Sequence, residues 1–470
     1  MIEECSAEVS KPLDENSTYL KGISLEFGTF VFVLIAKGVF MKYEPINKEL
    51  FVQNRAKFTA QMQPKSIAFF NSNDIYPISA DSKLPFQQHR DLFYLSGVDQ
   101  EESVLFLCPD CPKEAYREIL FVLETNAHIA VWEGEKLTKE TASNVSGVAT
   151  VIWLSELEKV LAEMMTYCDV MYLNTNEHSR ASVDTETRED RFTKRLKNKY
   201  PAHAVAKSNP ILQGLRSVKE PLEIELIQKA CNITEKGFRR LLNFVKPGVW
   251  EYEIEAELIH EFVRNKSKGF AYSPIVASGR NANILHYIEN NRQCKAGELL
   301  LLDVAAEYAN YSSDLTRTIP VSGRFSERQK QVYNAVNRVK KEATKMLLPG
   351  TDWVAYQKEV GKLMTSELLG LQLLDKAAVQ NENPDWPAYK KYFMHGTSHH
   401  MGLDTHDYGL LTEPMQANMV FTVEPGIYIP EEGFGIRLED DVVLQESGSP
   451  FNLMQDIPIE LEEIESLMNS

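Results

Sequence analysis

Leu299-Leu-Leu-Leu-Asp303-Val-Ala-Ala-Glu307-Tyr-Ala-Asn310-Tyr-Ser-Ser-Asp314-Leu-Thr-Arg-Thr318 is the stretch on which the fold turns. Two strand-like segments, Leu299 to Glu307 and Tyr311 to Pro320, flank a short turn at Ala309-Asn310. The apolar run ends on Asp303, so that carboxylate is expected to be buried, which is costly unless it is paired or bound to a metal. Asp314 stands on the returning strand beside Thr316 and Thr318, whose hydroxyls can act as supporting donors. One Asp on a strand is more often an edge or turn residue, so the weight rests on what accompanies this pair.

A second pair of segments repeats the form. Met419 to Ile429 carries Glu424 in Val423-Glu-Pro-Gly426, and Gly435 to Leu444 carries Glu439 in Arg437-Leu-Glu-Asp-Asp441. Helices are expected at Pro221 to Phe244 and Tyr252 to Asn265 before the first pair, and at Ser326 to Leu347 before the second. Pro221 suits a first turn, where its missing N–H costs nothing, and Leu222, Leu226, Ala230 and Ile233 form one apolar stripe. The pattern implies an internal duplication of helices and a hairpin, with a site between the halves.

Four of the ten histidines, His395, His399, His400 and His406, fall within twelve residues. His395 and His399 are four apart, with Gly396 and Gly402 allowing close approach. His400 faces the other way in an extended segment and is set aside. His286, in Asn283-Ile-Leu-His286-Tyr, precedes the Asp303 strand and can reach the site as a donor. Asp303, Asp314, His399, Glu424 and Glu439 then supply four negative charges and a neutral imidazole, matching two dications. Such oxygen donors favour Mn²⁺ or Mg²⁺ over thiolate-seeking metals. A pair of these ions can hold a hydroxide and polarise a carbonyl, which is hydrolase chemistry.

The rest of the chain sets bounds. Its 470 residues allow roughly two to four domains. A net charge of −17 with no dense basic run argues against a nucleic-acid partner. Phe30 to Ala36 is too short to span a bilayer and follows acidic residues, so no membrane anchor is expected. Residues 1–40 read as an extension or a mis-called start, with Met41 the natural beginning. Six irregularly spaced cysteines suit a reducing compartment, and a cytoplasmic location is expected. Cys108-Pro-Asp-Cys111 follows a strand-like run and reads as a strand-end turn rather than a redox or zinc site. Between Met41 and Tyr200 a helix at Glu49 to Met62 alternates with strands at Ser66 to Asn71, Ser103 to Leu107, Glu118 to Leu123 and Ala130 to Trp132. Ala204 to Leu215 is the linker candidate.

Taken together, Asn283-Ile-Leu-His286-Tyr, Leu302-Asp-Val-Ala-Ala-Glu-Tyr308, Ser313-Asp-Leu-Thr-Arg-Thr318, His395-Gly-Thr-Ser-His-His-Met-Gly-Leu-Asp-Thr-His406-Asp, Val423-Glu-Pro-Gly426 and Gly435-Ile-Arg-Leu-Glu-Asp-Asp441 resemble the pita-bread metallopeptidases. The nearest likeness is to the aminopeptidase P, or Xaa-Pro aminopeptidase, family, and Phe86 to Gly97 resembles its N-terminal signature. The resemblance implies an α+β protein: an N-terminal α/β domain over residues 41–205, then a pita-bread (creatinase/aminopeptidase-like) catalytic domain over 215–470. It implies metal ligation by Asp303, Asp314, His399, Glu424 and Glu439, with two Mn²⁺ ions favoured. Glu424 would also be catalytic, His286 and His406 would orient substrate and stabilise the tetrahedral intermediate, His395 would touch substrate and Arg437 would support the metals. Thr405 departs from the Val of many members. The implied reaction is release of the N-terminal residue from peptides with proline second, by a metal-bridging hydroxide attacking the scissile carbonyl. A homo-oligomer, dimer or tetramer, is also implied. A dipeptide-restricted prolidase and a non-catalytic binding protein are the alternatives; His395-Gly-Thr-Ser-His399 and the complete ligand set weigh against them.

Overall fold

The computed structural model describes residues 42–178, 180–181 and 183–470. The reading of residues 1–40 lies outside them. A six-stranded mixed sheet organises the N-terminal part, in the order Thr150–Trp153, Glu118–Val122, Val104–Leu107, Ser66–Asn71, Val170–Leu173, Ala204–Lys207. Its central strand shows why the sequence there is apolar at every position. Ile67 and Phe69 face one core with Leu161 and Leu196, while Ala68 and Phe70 face another with Phe58 and Leu92. Helices cover both faces, so alternation brings no residue to water.

Two expectations in this part are corrected. Ala130 to Trp132 lies in a helix, Ala127–Glu133, capped by Asn126, whose side chain accepts from His128 and Ile129 N–H groups. That cap outweighed the β preference of a short apolar run. The stretch Ala204 to Leu215 is not an open linker but the edge strand Ala204–Lys207 followed by helix Asn209–Ser217. Pro210 sits in the first turn of that helix, where it breaks nothing. Cys108-Pro-Asp-Cys111 is a turn at the end of Val104–Leu107, closed by Cys111 N–H on Cys108 O at 3.0 Å.

Beyond it the duplication is plain. Helices Pro221–Phe244 and Glu251–Arg264 precede the first hairpin, and Glu327–Met346 and Trp353–Gly370 precede the second. Ala309 and Asn310 both take positive φ, 53° and 68°, as a tight two-residue hairpin turn requires. Each expected long strand is broken where its acid stands. Leu299–Asp303 stops at Asp303 and pairs with Thr316–Pro320. In the second hairpin, Val420–Val423 pairs with Asp440–Val443 and Gly426–Ile429 with Phe434–Arg437. The gap falls on Glu424-Pro425 and Leu438-Glu439, because Pro425 has no N–H to offer the ladder.

Candidate metal centre

Those gaps release backbone groups to other segments. Glu424 N–H donates to Thr397 O at 2.8 Å, and Glu439 N–H to Thr316 O at 3.0 Å. The first bond ties the second hairpin to the histidine segment; the other ties it to the first hairpin. The carboxylates thereby turn into one cleft of about 400 Å³. All nine side chains singled out from sequence line it: His286, Asp303, Asp314, His395, His399, His406, Glu424, Arg437 and Glu439.

Within the cleft Asp314, His399 and Glu439 bring ligand atoms within 4.8 Å of one another. Asp303 and Glu424 stand outside that triplet. Asp303 Oδ2 accepts from Arg437 at 2.5 Å, and Glu424 lies 3.8 Å from His399 Nε2 and 3.6 Å from His395 Nδ1. His399 Nδ1 lies 3.0 Å from the His400 carbonyl. Donation there places the proton on Nδ1 and leaves Nε2, 3.5 Å from Asp314, as the free donor atom. The side chain of Asp303 keeps 14% exposure, so the expected burial is only partial.

Too little positive charge faces these acids. Burial pushes Glu424 up to about 7 against the pull of His399 and Arg437. Burial, with Asp314, Glu424 and Asp303 close by, holds Glu439 well above the carboxylate range. Burial also raises Asp303 despite Arg437. Four oxygen-donor groups and one imidazole in that state fit divalent cations, which would let every carboxylate ionise.

The supporting groups were only partly anticipated. Thr316 Oγ1 donates to Glu439 Oε2 at 2.7 Å and Thr318 Oγ1 to Arg437 O at 3.1 Å, so neither serves Asp314. Asp314 is instead fixed by its own N–H, donating to Asp441 Oδ2 at 2.9 Å. Gly402 serves closeness to Asp407 rather than to an imidazole: a Cβ there would lie 2.2 Å from Asp407 Oδ2. Tyr272 donates to Asp303 Oδ1 at 2.6 Å, and Tyr428 OH bridges His395 Nε2 at 2.7 Å and Arg437 Nη1 at 2.8 Å. Both tyrosines were missed, since neither carries a spacing signal. His400 is out of the site as expected, its ring against Trp353 and Phe421. Burial pushes His395 down to about 3, and burial with His399 and Arg180 nearby does the same to His406. Both are neutral imidazoles. His286 stands exposed at the rim.

Known proteins share this chain's family and fold. Residues 225–446 match metallopeptidase family M24, and residues 51–172 match the aminopeptidase P N-terminal domain. The Xaa-Pro aminopeptidase of Escherichia coli K12 is 33% identical over 440 residues, covering 90% of this chain and 98% of that protein. Human Xaa-Pro aminopeptidase 3 is 32% identical, covering 84% of this chain and 79% of its own. Zinc-substituted E. coli aminopeptidase P in complex with product superposes with a TM-score of 0.80 at 31% identity, covering 91% of this chain and 99% of that one. Aminopeptidase PepP of Pseudomonas aeruginosa gives 0.81 at 30% identity, over 90% and 98%. With the interrupted hairpins, the acid-lined cleft and the α/β domain ahead of it, the chain belongs to metallopeptidase family M24 and carries the aminopeptidase P N-terminal domain.

Proposed function

We propose that this protein is an Xaa-Pro aminopeptidase, releasing the first residue of peptides whose second residue is proline. The observation that carries the reading is the cleft itself, where five ligand-type side chains from distant segments meet Arg437 and three further histidines. Residues 215–470 would form the catalytic domain and residues 41–205 the N-terminal one. The ligands would be Asp303, Asp314, His399, Glu424 and Glu439, holding two Mn²⁺ ions. A dimer or tetramer working in the cytoplasm completes the proposal.

Held by these residues, divalent ions would lower the pKa of a bound water and polarise the scissile carbonyl. The chain's own groups do the rest. Glu424, 3.8 Å from His399 Nε2 and 3.6 Å from His395 Nδ1, would take a proton from the attacking water and pass it to the proline nitrogen. That nitrogen lacks an N–H, so sites built to bind an extended amide lose a donor there. His286 and His406, which line the cleft, would donate from their imidazoles to negative charge developing on the carbonyl oxygen. Tyr428 fixes His395 and Arg437 together, and Arg437 in turn holds Asp303.

The test is turnover of an Xaa-Pro-Xaa tripeptide and an Xaa-Pro dipeptide after chelation and re-addition of Mn²⁺. Metal-dependent release of the first residue from the tripeptide is expected. Turnover of the dipeptide alone would make the protein a prolidase, and activity indifferent to chelation would remove the metal from the reading.

A further inference from the structure

One side chain in the cleft comes from the N-terminal part of the chain. Arg180 lies on the connection between strand Val170–Leu173 and helix Arg188–Lys199 of the N-terminal sheet. It enters the same cleft as the acidic cluster, where its Nη1 lies 2.8 Å from His406 Nε2. A guanidinium can only donate, so His406 Nε2 accepts in this arrangement and its proton sits on Nδ1.

Among the described residues Arg180 has no carboxylate partner. The nearby acids are already engaged: Asp404 lies 2.7 Å from Arg216, and Glu177 lies 3.0 Å from Lys207. The segment carrying it is held at His178. The ring of His178 lies 5.6 Å from that of Tyr408, and Arg180 N–H donates to His178 Nδ1 at 3.2 Å. Two further cavities, of about 490 and 670 Å³, meet the metal cleft at Arg180 and His406. An exposed cation thus stands where the cleft opens toward the N-terminal sheet.

We propose that Arg180 is a specificity-determining residue that binds the C-terminal carboxylate of short peptides; the inference rests on the aminopeptidase reading above. An aminopeptidase that removes one residue leaves all remaining substrate on the far side of the scissile bond. The ammonium end of the peptide is repelled by a guanidinium, and the terminal carboxylate is the anion that a short proline-second peptide must carry. Arg geometry matches it in a two-bond fork.

The experiment compares alanyl-prolyl-alanine with its C-terminal amide, in the Mn²⁺-loaded wild type, Arg180→Ala and Arg180→Lys. The wild type should show a KM about tenfold higher for the amide at similar kcat, the size of one lost charged hydrogen bond. Arg180→Ala should bind both peptides with the weak KM, and Arg180→Lys should restore part of the difference. Inhibition by prolyl-alanine and its amide should follow the same order. Thermal melting unchanged from wild type separates this from loss of fold. A wild type blind to amidation overturns the assignment, as does an Arg180→Ala protein that keeps the wild-type ratio. Wild-type protein that cleaves neither peptide overturns the aminopeptidase reading itself and this inference with it.

Discussion

Thr316 holds Glu439 twice: its carbonyl accepts the Glu439 N–H at 3.0 Å and its hydroxyl donates to Glu439 Oε2 at 2.7 Å. One residue of the first hairpin therefore sets both the backbone and the carboxylate of a ligand-type residue on the second. The same hydroxyl accepts from Arg437 Nε at 3.1 Å. Thr316→Val keeps the shape and removes both side-chain bonds. Mn²⁺ affinity should fall about 10–100-fold, the usual effect of losing such a supporting bond. Calorimetric titration of metal into the apo-protein measures it.

Asp303→Asn keeps the size of the side chain and removes its charge, leaving Arg437 without its 2.5 Å partner. Activity on proline-second peptides should drop by about a hundredfold or more, because metal charge is no longer balanced where the carbonyl is polarised. Metal content after gel filtration should fall in parallel. Full activity with full metal content would remove Asp303 from the ligand set.

Metal-free protein should lose stability as pH rises. Glu424 is raised to about 7 in the fold, and Glu439, Asp303 and Asp441 are raised too, each mainly by burial. A raised carboxyl binds its proton more tightly folded than unfolded, so unfolding releases protons above the ordinary carboxylate pKa. The contribution is complete below about 4 and is lost as pH climbs toward 7. Melting in EDTA should therefore give a lower Tm at pH 8 than at pH 5. Added Mn²⁺ should raise Tm more at pH 8, where the acids are ready to bind it.

Arg216 is buried and donates to Asp91 at 2.7 Å, Asp407 at 2.5 Å and Asp404 at 2.7 Å. Asp91 belongs to the N-terminal helix Arg90–Ser96, whereas Asp404 and Asp407 flank His406. Arg216→Ala leaves buried carboxylates without their partner and should cost about 3–5 kcal/mol. Urea denaturation reads the loss directly.

Most of the cleft was legible because its residues carry patterns that physics makes unusual. A carboxylate ending Leu299 to Leu302 and a second one before Pro425 are hard to explain as ordinary strand residues. The helices were legible through their apolar stripes, and Pro221 marks a helix start at the expected residue. What escaped was three-dimensional coincidence. Tyr272 and Tyr428 reach Asp303 and His395 through folding, with nothing in their neighbours to announce it. The breaks in the hairpins were also unread, although Pro425 within Met419 to Ile429 was the signal for one of them. Ala130 to Trp132 misled because a three-residue apolar run fits helix and strand alike, and a cap at Asn126 decided between them.

The interrupted ladders make the cleft an all-or-nothing construction. Glu424 takes its place only once Thr397 has arrived, and Glu439 only once Thr316 has, so neither hairpin alone can present a usable set of donors. A half-built chain offers only part of the set needed to grip an ion. Tight capture of a divalent metal would thus signal that the two hairpins have closed upon each other.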